Sequence, residues 1–269
     1  MRWPLLIRGG LSKLQGIARV AERPVPVANV LFSAFILTSP GLIAAGLTAS
    51  DMRRAGIFVI CMILAIGVHE FSHAYAAHKL GDPTPEGQGR LTLNPIAHMD
   101  PIGTLALPLV LGLWATGMIF GWGRPVNTNP RHYTRKITMR GGMALVAFAG
   151  PLSNLLLAIL SLGLIFGLTA GGVIDANSLL GGKLEHPLLV FYLLNILLFA
   201  FNLLPLHPLD GGKVLAWILG PKYEHVDDFL SRYGFVILLV LVFALPSVLQ
   251  TLFSPFFSVG QWALGAVLT

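Results

Sequence analysis

Apolar positions in this chain come in long runs rather than in alternating stripes. The runs fall at roughly 27–48, 54–80, 102–121, 139–168, 187–206 and 234–253, followed by a short apolar tail to Thr269. Most reach the length of about 20 residues that a helix needs to cross a bilayer. No period repeats along the chain, which excludes a solenoid. No Gly/Ser-rich linker separates two folding units. The pattern therefore predicts one integral membrane domain over 25–253, with 254–269 as an apolar C-terminal tail. Before it, Leu6, Ile7, Leu11, Leu14, Ile17 and Val20 recur at near-helical spacing, with Arg8, Lys13, Arg19 and Arg23 between them. Residues 1–24 thus read as a basic amphipathic helix on the inner membrane surface. A frayed basic tail is the plainer reading.

Composition sharpens this. Hydrophobic residues make up 55% of the 269 and charged residues 11%, against about 25% charged in an ordinary soluble domain. A soluble nucleic-acid binder, a disordered chain and a disulfide scaffold are excluded. The net charge of +6 needs no nucleic-acid partner, because Lys and Arg cluster between the apolar runs. The single cysteine, Cys61, lies inside a run and can form no intrachain disulfide. No cleavable signal peptide is visible at the start.

Charge also orients the chain. The five Lys/Arg of residues 1–24 place the N-terminus in the cytoplasm of a multi-pass plasma (inner) membrane protein. The basic stretch 122–140 carries Arg124, Arg131, Arg135, Lys136 and Arg140. A full crossing by 102–121 would put it outside. That run also holds Gly103, Pro108, Gly112, Gly117 and Gly121, so it reads as a re-entrant or interfacial hairpin. The segment 207–233, with Lys213, Lys222 and Arg232, then returns inside.

The second run contains His69-Glu70-Phe71-Ser72-His73, an H-E-x-x-H pattern. Residues i and i+4 share a helix face, so both imidazoles reach one metal ion. Glu70, beside the first ligand, is placed to take a proton from a metal-bound water. Ionisable groups at membrane depth cost several kcal/mol unless partnered, and mark function by default. Packed histidines in a proton relay are the alternative. A third ligand is found in Asn202-Leu203-Leu204-Pro205-Leu206-His207-Pro208-Leu209-Asp210-Gly211-Gly212. Two prolines break the helix here, and Asp210 follows the break. Its plainer role is a helix N-cap. Two imidazoles and a carboxylate suit zinc, though iron or cobalt would also be accepted. His73 lies seven residues before Leu80, about 10 Å along a helix, which puts the metal inside the bilayer but nearer the cytoplasmic face.

These elements resemble the site-2 protease family of intramembrane zinc metalloproteases, in its compact branch without PDZ or CBS domain. HEFSH matches the family's HExxH, and NLLPLHPLDGG its N-x-x-P-x-x-x-x-D-G element. Ala149-Gly150-Pro151-Leu152-Ser153-Asn154 resembles its G-P-x-x-N, and the likeness covers about 54–220. The resemblance implies His69, His73 and Asp210 as ligands of one catalytic zinc, and Glu70 as base. It places Asn202 near the scissile carbonyl. Asn154 is either interhelical glue or a holder of substrate backbone. His207 stands where relatives commonly have proline; it is a second-shell donor or spare ligand, or a water-facing surface histidine. The fold implied is an all-α polytopic membrane protein of about five to six transmembrane helices, with a three-helix catalytic core at 54–80, 139–168 and 187–219. The function implied is cleavage of single-span membrane substrates within the lipid bilayer, in regulated intramembrane proteolysis behind an upstream site-1-type protease. Residues 84–94 hold a short alternating stretch that reads as a small β element for substrate capture, or as a plain loop. A divalent-metal transporter or channel is the rival function, but two related halves with paired broken helices are not visible. Histidines 98, 132, 186 and 225 fall in predicted loops, where exposure is the default. Trp122, Tyr133 and Trp217 read as interfacial belt residues.

Overall fold

The computed structural model describes residues 48–106, 108, 121–176, 179 and 186–268. The basic segment 1–24, the first apolar run and most of 102–121 lie outside the described residues. Among those described, the secondary structure is helical, with no strand.

Helix α1 spans Ala49–Lys79 and carries the H-E-x-x-H pattern. Gly81, at φ 100°, turns the chain out of it. The stretch 84–94 is not a strand. It opens with a short helical turn, α2, at Thr84–Gly87. Pro83 and Pro85 fix φ there and remove ladder donors, and Gly89 at φ 66° ends the turn. Helix α3 spans Met139–Ala170, capped by the Thr138 hydroxyl accepting from the Gly141 N–H. Helix α4 spans Pro187–Asn202, with Pro187 at its first turn. Helix α5 spans Asp210–Leu219, α6 Glu224–Phe243 and α7 Pro246–Leu268. The predicted run 234–253 is thus divided: Pro246 cannot continue the preceding helix and begins the next.

Among the described residues, three stretches are long and apolar enough to cross a membrane: Met52–Lys79, Met139–Ala170 and Pro246–Leu268. Helix α4, with 16 residues, reaches about 24 Å and falls short of the hydrocarbon thickness. The core sits where α1, α3, α4 and α7 meet, around Ala65, Ile165, Tyr192, Leu193 and Phe253. Tyr192 donates from its hydroxyl to the Gly260 carbonyl, tying α4 to α7. On the outer faces Ile60, Leu160, Leu164, Val236, Phe243 and Val259 are exposed. An apolar surface of that extent belongs in lipid.

The two ends of the 102–121 run lie side by side. A π-helical turn covers Pro101–Ala106. The Trp122 N–H donates to the Gly103 carbonyl at 3.1 Å, and the Thr104 hydroxyl to the Trp122 carbonyl at 2.7 Å. A single crossing would part its ends by about 30 Å. The described ends of the run, Gly103–Thr104 and Trp122, therefore lie together rather than on opposite sides of a bilayer.

Candidate metal centre

Three elements converge on one point. From α1 come His69 and His73, one turn apart and facing α3. From the start of α5 comes Asp210. Helix α3 crosses behind the imidazoles with Gly150 at the contact. A Cβ at Gly150 would collide with the His73 ring and lie 2.7 Å from His69 Cε1. Glycine is therefore required for α3 to approach the two rings.

Asp210 reaches the site because the chain reverses between α4 and α5. The turn 203–209 contains both prolines, Pro205 and Pro208, and holds Leu204 and Leu206 buried. Non-helical backbone at membrane depth is tolerated only when protein covers it. Gly211 makes the fold-back possible: a Cβ there would strike the Leu204 carbonyl and sit 2.5 Å from the Leu203 oxygen. The turn is pinned from outside by α6, where Gly234 packs on the His207 backbone and Asp227 Oδ1 meets His207 Nε2 at 2.9 Å.

The cluster itself is tight. The Nε2 atoms of His69 and His73 are 3.0 Å apart, and Asp210 Oδ2 lies 3.2 Å from each. All three residues are buried. His73 Nδ1 is 2.7 Å from the Val146 carbonyl, which can only accept, so Nδ1 carries the proton. His69 Nδ1 is 2.7 Å from Asn154 Oδ1 and likewise donates. With both rings neutral, each Nε2 is then a bare lone pair. Two such lone pairs and a carboxylate oxygen face one another with no hydrogen to share. This repels unless a cation sits among them. Ligands at about 2.0–2.2 Å around a tetrahedral zinc lie about 3.3 Å apart, close to the separations found. The residues fit a zinc ion.

Glu70 completes the group. It offers a carboxylate oxygen within 4.8 Å of the ligand atoms of both histidines. Its Oε2 accepts from the Val126 backbone N–H at 3.0 Å. That donor belongs to the segment 121–127, which runs extended past α1. Trp122 and Arg124 bind it to the Gly103 and His98 carbonyls by their own N–H groups. A backbone donor carries no signature in sequence, and this contact was not foreseen.

The other expected residues fall in distinct places. Asn154 is fully buried and bonded to His69. Asn202, at the end of α4, donates its amide to the Leu198 carbonyl one turn back, so it points along its own helix. His207 is engaged with Asp227. Lys213, one turn past Asp210, brings Nζ to 3.9 Å from Asp210 Oδ1. Two expectations of exposure fail. His98 is fully buried, with Nε2 at 2.9 Å from the Thr92 carbonyl, because the loop folds under the extended segment. Tyr133 is no belt residue: its ring is buried against Gly142 of α3. Asn195, fully buried on α4, was missed.

Comparison with known proteins agrees with this geometry. The sequence model of Peptidase family M50 matches residues 57–241. YwhC of Bacillus subtilis (strain 168) is 41% identical over 68% of this chain and 78% of its own length. Rip2 of Mycolicibacterium smegmatis is 30% identical over 83% of this chain and 82% of its own. The names of both carry the words zinc metalloprotease. So does that of MJ0392 of Methanocaldococcus jannaschii, 26% identical over 72% of this chain and 43% of its own. No solved structure matches. The chain belongs to Peptidase family M50.

Proposed function

We propose that this member of Peptidase family M50 is an intramembrane zinc metalloprotease whose zinc is held by His69, His73 and Asp210. The observation that carries the reading is the three-acceptor cluster: two histidine Nε2 atoms and one carboxylate oxygen, none more than 3.2 Å from another. When bound, zinc supplies a Lewis acid and brings the pKa of a water toward about 7. The other steps belong to the chain's own residues. Glu70 is the general base. With Oε2 held by Val126, its second oxygen is left to take the proton from the attacking water and to pass it to the leaving amine. Asn202 donates a hydrogen bond to the developing oxyanion, which requires its amide to leave Leu198 when substrate arrives. Its place beside the turn to Asp210 supports this role. Asn154 orients His69, and His207 fastens the turn to α6.

The substrates are membrane proteins in a bilayer, of the single-span type. A helical substrate hides its carbonyls in hydrogen bonds, so it unwinds locally before cleavage. The cut is the second of a regulated cascade, after a site-1-type protease. Residues 25–253 form the protease domain, in the inner membrane, with the N-terminus cytoplasmic. The basic stretches 122–140 and 207–233 support a site nearer the cytoplasmic face. The transporter reading is not favoured, since it gives Glu70 no role as a base.

Zinc content of purified wild type, Glu70→Gln and Asp210→Ala tests the ligand set. One zinc per chain in the first two and its loss in the third is expected. Full zinc in Asp210→Ala would overturn the assignment.

A further inference from the structure

We infer that Asn195 is a positioning residue of the metal centre: acting through Asn154, it fixes which ring nitrogen of His69 carries the proton. The inference rests on His69 ligating through Nε2. Its basis is a directional chain of hydrogen bonds. The Asn195 side chain donates from Nδ2 to the Phe191 carbonyl at 2.8 Å. Asn154 Nδ2 donates to Asn195 Oδ1 at 2.9 Å. Asn154 Oδ1 then meets His69 Nδ1 at 2.7 Å.

An asparagine amide by itself has no preferred direction, because its oxygen and nitrogen ends can exchange by rotation. The Phe191 carbonyl removes that freedom. It only accepts, so the NH2 group of Asn195 must face it. The oxygen of Asn195 must then face Asn154, whose NH2 turns to meet it. The oxygen of Asn154 is left toward His69, and Nδ1 must donate. The proton is thereby excluded from Nε2, the atom that points at His73 and Asp210.

The two histidines differ in this respect. His73 donates straight to the Val146 carbonyl, and backbone cannot flip. His69 meets a side chain that can, and the second asparagine supplies the missing direction. Both asparagines are fully buried, so no bulk water replaces either partner. A buried amide inside an apolar helix is costly unless bonded, and only in this orientation do both ends of the Asn195 amide meet a partner, Phe191 at the nitrogen and Asn154 at the oxygen. With Asn195 removed, Asn154 is free to turn its NH2 toward His69. The ring then takes the proton on Nε2 and ceases to be a ligand.

The test is zinc affinity of the full chain in detergent, by competition with a chromophoric chelator. Asn195→Leu is expected to weaken zinc binding about 10- to 100-fold, the usual effect of an outer-shell partner. Asn154→Asp offers His69 an acceptor at either oxygen and needs no guide. In that background, Asn195→Leu should leave affinity unchanged within about twofold. An equal loss in both backgrounds would mean that Asn195 acts by packing alone, and overturns the inference. So does wild-type affinity in Asn195→Leu. His69→Ala serves as control: if it keeps its zinc, the ligand assignment itself fails, and the inference with it. Histidine 15N spectra of the zinc-depleted wild type need no folded variant. They should place the His69 proton on Nδ1 alone, and a mixture of tautomers would overturn the inference.

Discussion

Gly150 sets how closely α3 approaches the two imidazoles. A methyl group there would press on the His73 ring and on His69 Cε1. Overpacking of this kind costs about 1–3 kcal/mol, and here the strain falls on the two imidazoles proposed as metal ligands. Gly150→Ala should therefore lower zinc affinity about tenfold or more, although alanine is the better helix former by about 1 kcal/mol. Chelator competition measures it, and unchanged affinity would show that the helices separate without cost. At this scale the side-chain cluster that the structure brings together was legible from sequence. His69, Glu70 and His73 declare themselves by helical spacing, and Asp210 by the prolines and glycines of its turn. Asn195 and the Val126 N–H were not. One is a lone polar residue in an apolar run, the other a backbone group, and both acquire meaning only from partners far along the chain.

The loop that follows segment 121–127 is tied to Asp82, three residues past the end of α1. This carboxylate is fully buried. It accepts from the backbone N–H groups of Asn129 at 2.6 Å and Thr84 at 3.0 Å, with His132 Nδ1 at 3.2 Å. Burial alone would raise its pKa, but these donors outweigh burial and hold it below the ordinary value of 3.8. The sign of the pH effect follows. A depressed carboxylate stabilises the fold above its unfolded pKa, and that stability is lost as pH falls through the folded one. The loop should thus stay protected at neutral pH and down to about pH 4, then loosen below it. Asp82→Asn should cost about 1–3 kcal/mol at pH 7, and speed tryptic cleavage at Arg131 and Arg135. Equal cleavage in mutant and wild type would show that the loop is held elsewhere. Sequence read this region less well. Alternation at 84–94 resembled a strand, yet paired prolines and a left-handed glycine made a helical turn. Such short patterns are ambiguous because neither state gains enough local stability to decide.

The described residues form an apolar helical bundle, with the polar cluster of His69, Glu70, His73 and Asp210 within it. Long apolar runs made its membrane class readable from sequence, whereas most of the run 102–121, read as a re-entrant or interfacial hairpin, lies outside the described residues. The division at Pro246 was not read, because the apolar run continues across it unbroken. Function at this scale is hydrolysis inside the bilayer, and the proposed mechanism makes Glu70 its base. General-base contributions are about 10²- to 10⁴-fold, and glutamine keeps the size of the side chain without its basicity. The most direct measurement gives wild type and Glu70→Gln, both in liposomes, a panel of single-span substrates, with cleavage followed by mass spectrometry and zinc counted alongside. Cleavage by wild type, a loss of about 10²-fold or more in Glu70→Gln and equal zinc in both is the predicted result. Equal cleavage by the two, with zinc equally bound, would contradict the account.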